Sequence, residues 1–209
     1  FRQEELIDDP SKRQQILHEI ARLREEVGGD GSGAFESYVR LFEVQADAEI
    51  RKELCRLARA ENRLAEYAGL LEQRALDSAG ASERVDLSLE LGRVLSEELG
   101  QSERAKDVYL DIVDQEPGHD VASTAVVEIL SRAEEWGQLV DFFLDQSESL
   151  SNDADRRDCL RKACQLLEEV VGDMDRAVDV WQQILEIDPN DAEADGALER
   201  IYGQQSDYS

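Results

Sequence analysis

Apolar residues recur along this chain at intervals of three and four, separated by acidic, basic and small polar residues, and no stretch alternates with a period of two. That pattern predicts amphipathic helices throughout. A first helix starts at Pro10, behind an Asp9 cap, carries Ile16, Leu17, Ile20, Leu23 and Val27 on one side, and closes at Gly28. Gly28 to Gly33 reads as a lengthened loop between helices. Helices then follow at about 34–46, 47–61, 63–77, 82–99, 103–115, 119–134, 136–149, 153–171 and 174–187, and an eleventh runs from Ala192 to about Tyr202. Their inward residues include Tyr38, Leu41 and Phe42, then Ile50, Leu54 and Leu57, then Val121, Ala125 and Ile129. Nearer the end they are Leu160, Ala163, Cys164, Leu167 and Val171, then Ala177, Val180, Trp181 and Ile184.

The pattern also repeats as a phrase. Leu23-Arg24-Glu25-Glu26-Val27-Gly28, Leu95-Ser96-Glu97-Glu98-Leu99-Gly100 and Leu167-Glu168-Glu169-Val170-Val171-Gly172 stand 72 residues apart. A fixed interval of this kind marks a repeat array, in which each amphipathic hairpin leaves an apolar flank that only its neighbour can cover. Two hairpins fill each interval. In this reading Leu167 and Val171 point inward, and Glu168 and Glu169 face solvent.

Within the interval the spacing of Leu91-Gly92, Leu95, Ala105, Tyr109, Ile112 and Pro117 resembles the tetratricopeptide-repeat family. So does that of Ala163-Cys164, Leu167, Ala177, Trp181, Ile184 and Pro189. The hairpins near 47–77 and 119–149 match more loosely. The turn within each hairpin is about one residue longer than the family spacing, and the first unit has Ile20 where the pattern wants a small residue. The resemblance implies an all-α fold: a right-handed α-solenoid of antiparallel helical hairpins with about 11 helices, spanning residues 1–209 as one array. The segment Phe1 to Ile7 reads as the tail of a helix, so the chain reads as a window of a longer array, and residues 203–209 as a frayed polar tail. The family implies a scaffold that binds protein or peptide. Its carboxylate-gripping variety needs Lys, Arg and Asn inside first helices. Arg93, Arg161 and Lys162 suit a groove, but Asn62, Asn152 and Asn190 lie at helix boundaries, so that clamp is not carried over.

Charge narrows the partners. The chain has 23 Lys and Arg against 49 Asp and Glu, a net charge of −26. Of these, residues 105–209 hold 8 cations and 26 carboxylates, a net −18. Such a field repels nucleic acid and anionic membranes and favours a basic protein segment. No apolar run is long enough to cross a bilayer.

Candidate chemistry is sparse. His18 and His119 stand about a hundred residues apart and read as surface or boundary positions. Cys55, Cys159 and Cys164 lack metal-ligand or redox spacing and read as small packing residues; an odd number at unrelated spacings suits a reducing, cytoplasmic setting. Asp191-Ala192-Glu193-Ala194-Asp195-Gly196 opens like a calcium loop, but its twelfth position is Tyr202, and the acids suit a helix's first turn. The glycines near 28–33 lack the Gly-Lys-Ser/Thr ending of a phosphate loop. The expectation is a non-catalytic interaction scaffold with no catalytic, cofactor or metal residues. The alternatives are a self-assembling structural array, for which self-association is the signature, and an accessory region of a larger enzyme.

Overall fold

The computed structural model describes the backbone of residues 10–207 and the side chains of residues 15–203 except Glu26. The Phe1 to Ile7 segment and the Asp9 cap lie outside the described residues. Every described element is helical: α1 (Pro10–Glu26), α2 (Gly31–Val44), α3 (Ala48–Ala60), α4 (Leu64–Asp77), α5 (Ala81–Arg93), α6 (Ser102–Gln115), α7 (Asp120–Arg132), α8 (Trp136–Ser149), α9 (Asp153–Leu166), α10 (Met174–Ile187) and α11 (Ala192–Asp207). The last runs past Tyr202 because Gln204, Gln205 and Ser206 are acceptable helix formers and a single Gly203 is tolerated. The chain divides into two compact units, Phe1–Ala105 and Lys106–Ser209, with the division falling inside α6.

In the first unit consecutive helices pack from α1 to α5. Phe35, Phe42, Leu54, Leu57, Tyr67, Leu71 and Leu87 are among the large side chains sealed inside. Tyr67 buries its ring and donates its hydroxyl to Glu90 Oε1 at 2.5 Å and to the Arg51 carbonyl at 3.2 Å. Burial, and then the Glu90 carboxylate, push that phenol far above its ordinary range, so it stays a donor. Arginines tie one hairpin to the next: Arg56 forks onto both Glu25 oxygens at 2.7 Å, and Arg63 reaches Glu36 at 2.6 Å while lying 4.0 Å over the Phe35 ring.

The second unit repeats the scheme. Helices α7 to α11 pack in sequence, around Val126, Leu139, Leu160, Leu167, Trp181 and Ile184. Arg157 and Arg161 of α9 both reach Asp191, which is itself buried and caps α11 by accepting the Ala194 N–H at 3.1 Å.

The recurring phrase proves to be a way of ending a helix. After α5 the turn Val94–Glu98 widens to bonds five residues long, and after α9 Leu167–Val171 does the same. Six-residue closures follow, from Gln101 N to the Leu95 carbonyl at 2.8 Å and from Asp173 N to the Leu167 carbonyl at 3.0 Å, around left-handed Gly100 and Gly172. The surplus residue of each hairpin turn is taken up in this wide turn.

The first unit closes the same way, but from Asp30 N to the Arg24 carbonyl at 2.9 Å, with Gly29 as the left-handed residue. The first copy is therefore offset by one. Gly28 is not the left-handed closure. The small residue matching Gly92 is Ala21, fully buried, and not Ile20. Nor is Gly28 to Gly33 a long loop. Asp30 caps α2 by accepting the Gly33 N–H at 2.8 Å, which draws Gly31, Ser32 and Gly33 into the first helical turn.

Two further assignments change. In α7 the buried stripe is Ala122, Val126, Ile129 and Leu130, so Ala125 is half-buried and Val121 is 60% exposed. After Leu167 the wide turn rotates each residue less than an α-helix does. Val171 consequently swings out to 42% exposure, and Glu168 swings in to accept Trp181 Nε1 at 2.7 Å and Arg200 at 2.5 Å.

Candidate protein-docking groove

A groove of about 550 Å³ opens in the second unit between α7 and α9, with α8 as its floor. It begins at a turn. Gly118 adopts φ +84°, and a Cβ there would come 3.1 Å from Leu150 Cδ2 at the groove's end, so this corner is built for glycine. His119 then caps α7, its Nδ1 accepting the Ala122 N–H at 3.3 Å. Asn152 caps α9 through the Ala154 N–H at 2.9 Å. Arg156 Nε donates to the Ser147 carbonyl at 3.0 Å, fastening α9 to α8.

The floor is apolar. Phe142 and Phe143, adjacent on α8, set their rings 5.7 Å apart at 54°. The walls are acidic. Asp120 and Glu128 stand on α7, Asp155 and Asp158 on α9, and all four are exposed. Asp158 pairs with Arg161 at 3.2 Å. Among the described residues Asp120, Glu128 and Asp155 have no such partner. The groove's single cation, Lys162, lies 5.4 Å from the centre of the Phe143 ring. Elsewhere in this unit most basic side chains are tied up internally: Lys106 with Glu135, Arg156 with Asp153, Arg157 with Asp188, Arg176 with Asp141 and Arg200 with Glu168. Arg132, exposed at the end of α7, is the exception among the described residues.

Cys159 is half-buried in the α9 wall. Burial pushes its thiol up, and Asp158 and Asp155 reinforce that against Lys162, which disfavours the nucleophilic thiolate. Cys164 is fully buried against the hairpin core and shifted the same way, and Cys55 is buried in α3. All three are free thiols.

A second depression, of about 530 Å³, lies in the first unit, where α1 and α3 flank the end of α2. Leu41 and Ile50 floor it, and Glu19, Arg22, Asp47 and Glu49 mix their charges around it. His18 lines it and packs edge-on against Tyr38 at 5.6 Å.

Of the groove residues foreseen from sequence, the structure brings only Lys162 to the site. Arg161 is taken by Asp191, Asp158 and Glu193, and Arg93 leans toward Glu97 at 3.9 Å. Asp191 to Gly196 form the cap and first turn of α11. Among the described residues no group of three His, Cys, Asp or Glu side chains is placed to hold a metal. The sequence does not by itself mark the acidic walls as a site. Asp120, Thr124 and Glu128, like Asp155, Asp158 and Lys162, keep helical spacing beside the buried stripe, and that second polar face was the available signal.

Helical hairpins stacked in sequence within each unit, closed by recurring left-handed turns, with an apolar-floored groove between first helices in the second, define a helical-hairpin repeat protein. Its fold is that of tetratricopeptide-repeat proteins. A repeat protein of this kind from Bacteroides fragilis, BF2334, superposes with a TM-score of 0.51 over 91% of this chain and 98% of that one, at 11% identity. The C-terminal part of a repeat-containing protein from Cytophaga hutchinsonii gives 0.45 over 88% and 73%, at 13% identity. YrrB, a repeat protein with an unusual peptide-binding site, gives 0.42 over 93% and 96%, at 16% identity. No protein-family model matches the chain. No curated protein matches it either. Among the described residues no helix is long and apolar enough to cross a membrane.

Proposed function

We propose that this chain is a non-catalytic interaction scaffold that binds a basic segment of a partner protein. The observation that carries the reading is the α7–α9 groove, where unpaired carboxylates rim an apolar floor. Cations in the same unit are largely spent on internal pairs, so the uncompensated field there is negative, and a negative concavity raises the local concentration of a cationic partner. Its half-buried Cys159, held toward the thiol, supports a binding role over a nucleophilic one. Three free cysteines suit the cytoplasm.

The test is cross-linking of the 209-residue chain to its captured partner, followed by mapping of the linked residues. Links from partner lysines to Asp120, Glu128 or Asp155, lost when salt is raised, are the expected result. Links confined to other surfaces, or capture indifferent to salt, overturn the reading.

A further inference from the structure

The groove already contains a cation placed on an aromatic ring, and it belongs to the chain itself. Lys162 stretches from α9 across the Phe143 ring, 5.4 Å from its centre, on a long flexible stem that stays exposed. Its ammonium has no carboxylate within ion-pair distance among the described residues, although Glu128 and Asp155 line the same groove. A lysine held only by a ring face is weakly restrained and easily displaced. The guanidinium of an arginine fits the same place better, because it stacks flat on a ring and still points several donors at flanking carboxylates. The strip beside it, formed by Phe142 and Val127, offers apolar contact to a neighbouring side chain.

Resting on the scaffold reading above, we infer that this groove takes a peptide presenting an arginine beside an apolar residue. The arginine displaces Lys162 from Phe143 and is held by Glu128 and Asp155, while the apolar neighbour lies on Phe142 and Val127. Lys162 is then the groove's internal competitor, setting how strongly a cation must bind before it enters.

The experiment titrates the full chain with three fluorescently labelled synthetic peptides of equal length. One alternates arginine and leucine in pairs, the second replaces arginine with glutamate, and the third replaces leucine with serine. The Arg/Leu peptide is expected to bind, with affinity falling about tenfold between low and moderate salt. The glutamate peptide should not bind, and the serine peptide should bind about tenfold more weakly than Arg/Leu. Lys162→Ala should tighten Arg/Leu binding about threefold or more. Glu128→Lys combined with Asp155→Lys should weaken it at least about tenfold. Asp175→Lys with Asp179→Lys, which makes the same charge change on the exposed side of α10, should cost far less.

Circular dichroism melts of each variant separate lost binding from lost folding. Equal losses from the two charge-reversal pairs, equal binding of the arginine and glutamate peptides, or no tightening in Lys162→Ala each overturn the proposal. Binding by none of the peptides also overturns it. A partner cross-linked in the groove would then leave the scaffold reading standing, and one cross-linked elsewhere would remove both.

Discussion

At the scale of single residues, Trp181 and Glu168 act as a pair. The indole is 4% exposed and donates to a carboxylate whose side chain is only 12% exposed and which also holds Arg200. Trp181→Ala should lose about 3–5 kcal/mol in a denaturant melt, the usual cost of emptying a large aromatic site. Glu168→Gln should lose about 1–2 kcal/mol, because it weakens two hydrogen bonds in a partly dry setting. A loss indistinguishable from zero for Glu168→Gln would place that side chain in solvent.

Two carboxylates give pH signatures of opposite sign. Burial and the nearby Glu148, Asp141 and Asp114 raise Asp145 above its ordinary value. Its folded form therefore binds a proton the unfolded chain has released, and its cost appears as pH rises from the ordinary Asp range and is complete at neutrality. Asp145→Asn should raise the melting temperature at about pH 7, with the gain gone near about pH 4. Glu25 is lowered, first by its hydrogen bond from Arg56. Its contribution is present at neutrality and disappears as pH falls below the ordinary Glu range, so Glu25→Gln should destabilise at about pH 7 and not in acid. A melt series across pH in which both variants move the same way would contradict these assignments.

At the scale of elements, the helices were legible and their phases less so. Spacing by threes and fours placed Tyr38, Leu41 and Phe42 in α2 and Leu54 and Leu57 in α3 correctly, because each has one continuous apolar stripe. In α7 two stripes one residue apart both keep a spacing of four, Val121, Ala125 and Ile129 or Ala122, Val126 and Leu130. The choice is settled only by packing, which buries Ala122, Val126 and Leu130 together with Ile129. Val171 and Glu168 depart from the helical spacing because a five-residue turn changes the rotation per residue, and nothing in local composition announces it. The acidic walls of the groove were readable as spacing but not as a site, since a charged helical face is usually just solvated.

Left-handed residues close both the good and the loose hairpins. Asn62 at φ 57° and Glu134 at φ 56° hold the same position in the loose ones. Asparagine tolerates that conformation, while glutamate has no such excuse. Glu134→Gly should stabilise by about 0.5–1 kcal/mol, measured as a shift in denaturant midpoint at unchanged slope. A loss would mean that the Glu134 side chain holds something the backbone alone does not.

At the scale of the whole molecule, charge dominates. A net −26 on 209 residues is a large self-repulsion, and it is set against exposed ion pairs that each contribute little. Raising sodium chloride from about 20 mM to about 300 mM shortens the screening length severalfold and should therefore raise the melting temperature. A fall would mean that the bridges from hairpin to hairpin, such as Arg56 to Glu25, outweigh the repulsion.

The matching closures at Gly100 and Gly172 have a practical corollary for lengthening the protein. Gln101 N–H meets the Leu95 carbonyl as Asp173 N–H meets that of Leu167. A duplicate of residues 101–172 spliced after Gly172 would thus meet, at both new seams, a helix end of the kind it already follows. The natural cassette for building longer versions of this chain is 72 residues, cut behind a glycine and not between hairpins.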